Sequence, residues 1–176
     1  SKYQLYTRAT KLHFNKTIEE FIMAAKKDTL IISGFPGVGK TSLYNRKYED
    51  LIILDSDSST FDKEDFPENY IKHIKENMGK VDIILVSSHK DVRLALASNK
   101  IRYILIYPNL SLKDEYLERY RLRGSLQPFN DLISKNWELW IKEIVEHEHS
   151  EYLTKIELES GEFLTDFLRK FKKYKA

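Results

Sequence analysis

The apolar positions of this chain change period several times, and each change marks a predicted element. Leu30, Ile31 and Ile32 form a continuous apolar run that reads as a buried strand. Leu51 to Leu54, Asp82 to Val86 and Ile101 to Tyr107 repeat the pattern, with Pro108 ending the last, and Lys155 to Glu159 reads as a fifth strand. Between these runs apolar residues recur every three or four positions. Pro67 starts a helix carrying Tyr70, Ile71, Ile74 and Met78, and Gly79 closes it. Val92, Leu94, Ala95 and Leu96 predict another. Ser111 and Asp114 form a capping pair ahead of Tyr116, Leu117 and Tyr120, in a helix expected to run to Gly124. Pro128 opens a long helix through Leu132, Ile133, Trp137, Trp140, Ile141 and Ile144, and Phe163, Phe167, Leu168 and Phe171 line a closing one. Upstream, residues 1–14 show no clear period and read as a lead-in. Thr17 and Glu20 then make a capping box before Ile18, Phe21, Ile22 and Ala25, in a helix ending near Lys27. No internal repeat, low-complexity tract or long linker interrupts the pattern.

Strands alternating with helices predict an α/β fold whose parallel sheet is covered by helices on both faces. Ligands then bind outside the carboxyl ends of the strands. The stretch TLIISGFPGVGKTSL, Thr29 to Leu43, places GxxxxGKT at that edge, with Gly34, Gly39, Lys40 and Thr41 at the fixed positions. An apolar run precedes it and no helix breaker follows, so the flanks also fit and a chance glycine-rich turn explains less. Glycines let successive N–H groups of Gly34, Gly37, Val38, Gly39, Lys40, Thr41 and Ser42 turn around the β-phosphate of a nucleoside triphosphate, ATP being the expected donor. Lys40 is expected to bridge the β- and γ-phosphates, and the Thr41 hydroxyl to be a Mg²⁺ ligand.

Asp55 and Asp57 end the second strand and enter a polar segment with Ser58 and Ser59. Asp55 is expected to hold Mg²⁺ directly or through water, and Asp57 to point towards the acceptor; the competing reading is an Asx turn or helix cap. No carboxylate ends the third strand, since Asp82 stands at its start, so Asp55 takes that place or Thr41 and water hold the metal alone. Ser88, His89 and Arg93, after the third strand, are candidate acceptor ligands, with helix capping an equal reading for His89. Arg119 and Arg123 are four apart and share a helix face from which both reach one polyphosphate, whereas Arg121 points elsewhere. A solvated basic helix end is the alternative. With Gly124 as a hinge, residues 111–128 are expected to form a lid. His147 and His149 read as a solvated helix end, Trp137 and Trp140 as core, and the terminal RKFKKYK as a solvated face with a weak nucleic-acid contact as the alternative.

Composition adds constraints. The 176 residues fit one domain spanning 1–176, in which 1–28 are lead-in and first helix. Twenty-nine Lys and Arg against 27 Asp and Glu leave +2, so no global field demands a nucleic acid or a membrane and any anion site is local. Cysteine is absent, which excludes disulfides and thiolate metal sites and fits a reducing compartment. With no apolar run near membrane length and no apolar signal core at the start, the expectation is a soluble cytoplasmic protein, monomer or homodimer, with no membrane partner.

GFPGVGKT, the LDSD after the second strand and ERYRLRG together resemble the nucleoside monophosphate kinase-like group of P-loop enzymes, which includes adenylate, shikimate and gluconate kinases. The resemblance runs from Thr29 onward, with a weaker likeness to small bacteriophage-encoded (deoxy)nucleotide kinases. It implies a three-layer P-loop fold with a parallel five-stranded sheet in the order 2-3-1-4-5 and a short lid. It also implies that Arg119 packs on the adenine, that Arg123 reaches the transferred phosphoryl group, and that Ser160 and Gly161 lie beside the adenine edge. Adenylate kinases differ in carrying a substantial AMP-binding insertion and usually no DxD here. The expected function is ATP-dependent phosphoryl transfer to a (deoxy)nucleoside monophosphate, with Lys40, Mg²⁺, Arg93, Arg119 and Arg123 neutralising charge. The alternative acceptor is a hydroxyl of a nucleoside, sugar, small acid or polynucleotide end, with Asp57 as base. A nucleotide-hydrolysing switch ATPase is the third reading.

Overall fold

The computed structural model describes residues 29–46 and 51–175. Strand β1 (Leu30–Gly34) leads into helix α1 (Lys40–Arg46), followed by β2 (Ile53–Asp55), α2 (Glu68–Asn77), β3 (Ile83–Val86) and α3 (Lys90–Ser98). Then come β4 (Tyr103–Pro108), α4 (Lys113–Leu122), α5 (Gln127–His147), β5 (Leu153–Leu158) and α6 (Leu164–Lys175). The lead-in 1–14 and the helix expected after Thr17 lie outside the described residues.

The five strands form one all-parallel sheet in the order β2-β3-β1-β4-β5. Every residue of β1, β3 and β4 is buried, which explains why their sequences are continuously apolar and not alternating. The edge strands are different. β2 ends in the exposed Asp55, and β5 carries Lys155 and Glu157, charges that discourage further strand pairing.

Alternate residues of the central strands enter two clusters. Leu30, Ile32, Ile83 and Leu85 join Leu43 of α1 and Leu164, Phe167 and Leu168 of α6. Ile31, Ile84 and Val86 join Tyr70, Ile71 and Ile74 of α2 and Val92 and Leu96 of α3, so helices cover both faces. By register Leu105 lies on the Ile31 side, yet it belongs to the first cluster with Ile133, Trp137, Ile141 and Ile144 of α5. That cluster therefore wraps around the β4 side of the sheet, where Trp137 fills the space under Phe35 and Tyr116 and donates its indole N–H to the Leu110 carbonyl.

Several element ends differ from expectation: β2 starts at Ile53, α4 ends at Leu122 and β5 runs Leu153–Leu158. Ile101 and Arg102 precede β4, because Lys100 adopts a left-handed φ of 57° and pairing resumes only where the Tyr103 N–H meets the Tyr152 carbonyl. Ser111 does not cap α4. The short 3-10 turn Leu110–Leu112 comes first, capped by Asn109, whose Oδ1 accepts the Ser111 N–H, and α4 itself starts without a side-chain cap. Among the described residues no helix is long and apolar enough to cross a membrane. The carboxyl ends of the strands gather five turns at one edge: 35–39, 56–60, 87–89, 109–112 and 159–163.

Candidate functional site

The turn after β1 is defined by where its carbonyls go. The Phe35 carbonyl accepts from the Val38 N–H, that of Pro36 from the Tyr120 hydroxyl at 2.6 Å, and that of Gly37 from Arg119 Nη1 at 3.0 Å. The Val38 carbonyl accepts from the Leu164 N–H, and that of Gly39 from the Leu43 N–H. A planar trans peptide points its N–H opposite its carbonyl. With the carbonyls of 35–39 bonded to protein donors, the N–H groups of Gly37, Gly39 and Lys40 point away from the donors that hold the carbonyls of Pro36, Val38 and Gly39. Positive φ at Gly37 (93°) and Gly39 (103°) makes that sequence of peptide orientations accessible.

Lys40 opens α1 and lays its ammonium on the Val86 carbonyl at the end of β3, at 3.2 Å. Burial pushes its pKa below the usual lysine value, while Asp55 and Asp57 act in the opposite direction. Both carboxylates are therefore near enough to the ammonium to be felt by it. Thr41 is exposed beside Lys40, and Ser42 lies in the same helical turn. Asp57 is exposed and accepts the Ser59 N–H at 2.9 Å, capping the short 3-10 turn Ser58–Thr60; this bond holds its carboxyl below the ordinary range. It is thus a helix cap of the 3-10 turn, exposed to solvent and within the field of Lys40. The capping and acceptor readings of Asp57 are compatible.

The acceptor-side candidates are placed unequally. Ser88 and His89 stand at the β3 edge, where His89 is the exposed N-cap residue of α3 without a side-chain capping bond. Arg93 is buried. Its Nε donates to both Glu148 oxygens, at 2.8 and 3.2 Å, and its Nη1 donates to the Ser88 carbonyl. The expected acceptor arginine is therefore an internal tie between α3 and the end of α5. Lys90, one turn earlier, pairs with Glu143 of α5.

On the other side of the loop, α4 supplies a packed wall. Arg119 lies between the Tyr116 ring, 4.3 Å from its centroid, and the Phe163 ring, at 3.9 Å, and donates to Gly37, Glu115 and Glu162. Arg123 shares its face, as the four-residue spacing predicts, and sits over Tyr120 and Phe129 with Nε donating to the Ser125 hydroxyl. Arg121 points away and pairs with Glu118. Ser160 and Gly161, after β5, both donate to Glu115. These bonds, the Ser160 hydroxyl first, hold the Glu115 carboxyl below its usual range.

Four site residues escaped the sequence reading: Glu115, Tyr116, Tyr120 and Phe163. Glu115 and Arg119 carry an i, i+4 signal, and Tyr116 and Tyr120 repeat it, but nothing local says that this face meets the glycine turn. His147, at the end of α5, is solvent-exposed, and no cluster of three or more potential metal-binding side chains exists among the described residues. Compared with known protein families and with curated proteins, the chain matches none.

Proposed function

We propose that this chain is an ATP-dependent phosphotransferase of the P-loop type acting on a small-molecule acceptor, in the first instance a (deoxy)nucleoside monophosphate. The observation that carries the reading is the glycine turn 35–39, whose five carbonyls are all held by protein donors and whose Gly37 and Gly39 take positive φ next to Lys40. A glycine turn that frees N–H groups next to one ammonium suits a phosphate chain. The donor fits on a second count: a half-buried lysine with a lowered pKa, bonded to a carbonyl among the described residues, gains when a polyanion arrives.

In this reading the loop amides and Lys40 orient the β- and γ-phosphates, and Thr41 with Asp55 would hold Mg²⁺ together with phosphate oxygens. The metal supplies charge neutralisation at the transferred phosphoryl group. Arg119, Ser160, Gly161 and Phe163 form the wall beside which the base lies; of the lid expected over 111–128, the part with Tyr116 and Tyr120 is anchored in the core, and the turn 123–128 is the part that brings Arg123 in. A phosphate acceptor arrives ionised, so positioning and charge dominate.

A hydroxyl acceptor is the second reading, and the capture of Arg93 by Glu148 favours it, because that arginine was the one cation expected on the acceptor side. Asp57 is then the base: ionised, exposed and within the field of the Lys40 ammonium. An ADP-release assay over the common NMPs, dNMPs, nucleosides and small hydroxy compounds tests the proposal. Release with at least one acceptor is expected. Silence with all of them rejects phosphoryl transfer, and acceptor-independent hydrolysis stimulated by DNA or a protein replaces it with a switch ATPase. Asp57→Asn separates the acceptors: a fall of roughly 10²–10⁴-fold in kcat for a hydroxyl, against weakened acceptor binding for a phosphate.

A further inference from the structure

The Val86–Ser87 peptide unit is bonded at both ends. Its carbonyl accepts from Lys40 Nζ at 3.2 Å, and its N–H donates to the Tyr70 hydroxyl oxygen, also at 3.2 Å. The Tyr70 hydroxyl donates in turn to the carbonyl of Ser56, at 2.6 Å. Ser56 is the residue between Asp55 and Asp57, and Ser87 is the one before Ser88 and His89. One hydroxyl therefore bridges the two turns that flank the candidate acceptor position. The surroundings keep that bridge short and single. The Ser87 carbonyl is fixed by the Ser33 hydroxyl at 3.0 Å, the Ser87 hydroxyl accepts the His89 N–H, and the Ser56 hydroxyl is bonded to His73 Nε2 at 2.9 Å.

Tyr70 has no freedom to leave. It is 0% exposed, with the Phe61 ring edge-on at 5.0 Å and Phe66 at 5.8 Å. Burial pushes its pKa up to about 12, so the hydroxyl keeps its proton and continues to donate at neutral pH. A helix face that needed only apolar filling at this position would be served by phenylalanine. The hydroxyl is needed because the Ser56 carbonyl just after β2 and the Ser87 N–H just after β3 both meet it.

We propose that Tyr70 is a positioning residue that sets the separation of the turns 55–59 and 87–89 and couples it to Lys40 through the Val86–Ser87 peptide. The inference rests on the phosphotransferase reading for its purpose and on the hydrogen-bond chain for its geometry. When Lys40 turns to a phosphate chain, the Val86 carbonyl loses its cationic partner. The N–H of the same peptide is then less polarised, and its bond to Tyr70 weakens, because hydrogen bonds in a chain strengthen one another. Donor occupancy is thereby felt at Ser56, and so at the two carboxylates on either side of it.

Tyr70→Phe tests this, with Tyr103→Phe, another buried tyrosine in the same cluster, as the control for loss of a core hydroxyl. In the ligand-free chain, exchange of the Ser87 amide should speed up about five- to tenfold in Tyr70→Phe, the equivalent of one lost hydrogen bond, and stay unchanged in Tyr103→Phe. Saturation with Mg²⁺ and a non-hydrolysable ATP analogue should shift the amide resonances of Asp57, Ser58 and Ser59 in the wild type and in Tyr103→Phe. In Tyr70→Phe that response should shrink to what Mg²⁺ at Asp55 produces directly, while the resonances of 37–41 still move as in the wild type and the analogue's affinity stays within about threefold, since no donor contact is removed. Unchanged Ser87 exchange in Tyr70→Phe overturns the bridge. An undiminished response at 57–59 overturns the coupling and leaves Tyr70 as a static bridge. A wild-type chain that binds no analogue overturns the phosphotransferase reading and the coupling together, whereas the exchange result still reads the bridge alone.

Discussion

Gly37 shows how much of the candidate site depends on single backbone positions. Its φ of 93° is costly for any residue with a Cβ, and a Cβ placed there would stand 2.8 Å from the Tyr120 ring and 3.0 Å from that of Tyr116. Gly37→Ala should cost about 1–2 kcal/mol for the backbone alone, more for the contact, and should abolish triphosphate binding. Gly161 has φ 75° but open space around it, so Gly161→Ala should carry only the backbone cost; urea melts of the two variants check the difference. Glu115 makes a second residue-level prediction. Its folded pKa is depressed, so the stability it contributes is fully present above the ordinary carboxyl value and is lost as pH falls through the folded one. Thermal melts from pH 7 down to pH 3 should therefore converge for wild type and Glu115→Gln at the acid end and separate at neutral pH. Parallel curves would mean that the Ser160 and Gly161 bonds contribute nothing. The pairing of Glu115 with Arg119 is visible in the chain order, but Ser160 is 45 positions from Glu115 and only the fold brings them together.

At the scale of elements, α3 is tied to the end of α5 by the Arg93–Glu148 pair, in which both side chains are about nine-tenths buried. Removing one partner of such a pair leaves an uncompensated buried charge, so Arg93→Ala should destabilise by about 3–5 kcal/mol, and the double change with Glu148→Ala should recover part of it. The same cycle checks the site: if Arg93 instead met an acceptor phosphate, the single variant would lose acceptor binding and keep its melting curve. α4 and the turn after it divide similarly. Tyr116 and Tyr120 anchor α4 in the core, whereas Leu122 and Leu126 are 71% and 76% exposed and the turn 123–128 has little apolar surface to hold it. Arg123→Ala should lower kcat far more than it weakens ATP binding, because its contact belongs to the closed form, and should leave the melting temperature nearly unchanged. Full turnover in that variant would return Arg123 to the ordinary surface.

For the whole molecule, ligand binding offers the broadest test. A donor at about a hundred times its dissociation constant stabilises the folded state by about 2.7 kcal/mol, which in a chain of this size is roughly 5–10 °C in melting temperature. Mg·ATP should produce such a shift and the Lys40→Met variant should not. The sequence by itself determined the α/β class, five strands and the glycine turn, because apolar runs and GxxxxGKT are local signals read over a few residues. It also separated Arg119 and Arg123 from Arg121, since helical period is a local property. The strand order is now observed as 2-3-1-4-5; the apolar runs did not contain it, because every buried parallel strand presents the same apolar pattern. Only the tertiary structure decided which partner each polar group finds. Arg93 went to Glu148 and to the Ser88 carbonyl, Tyr70 became a bridge and not merely a core ring, and Tyr120 and Arg119 took the carbonyls of the glycine turn. The reason is physical. Apolar burial is non-directional and leaves its trace in periodicity, whereas a hydrogen bond needs two particular atoms within about 3 Å, and those atoms lie up to 84 residues apart here.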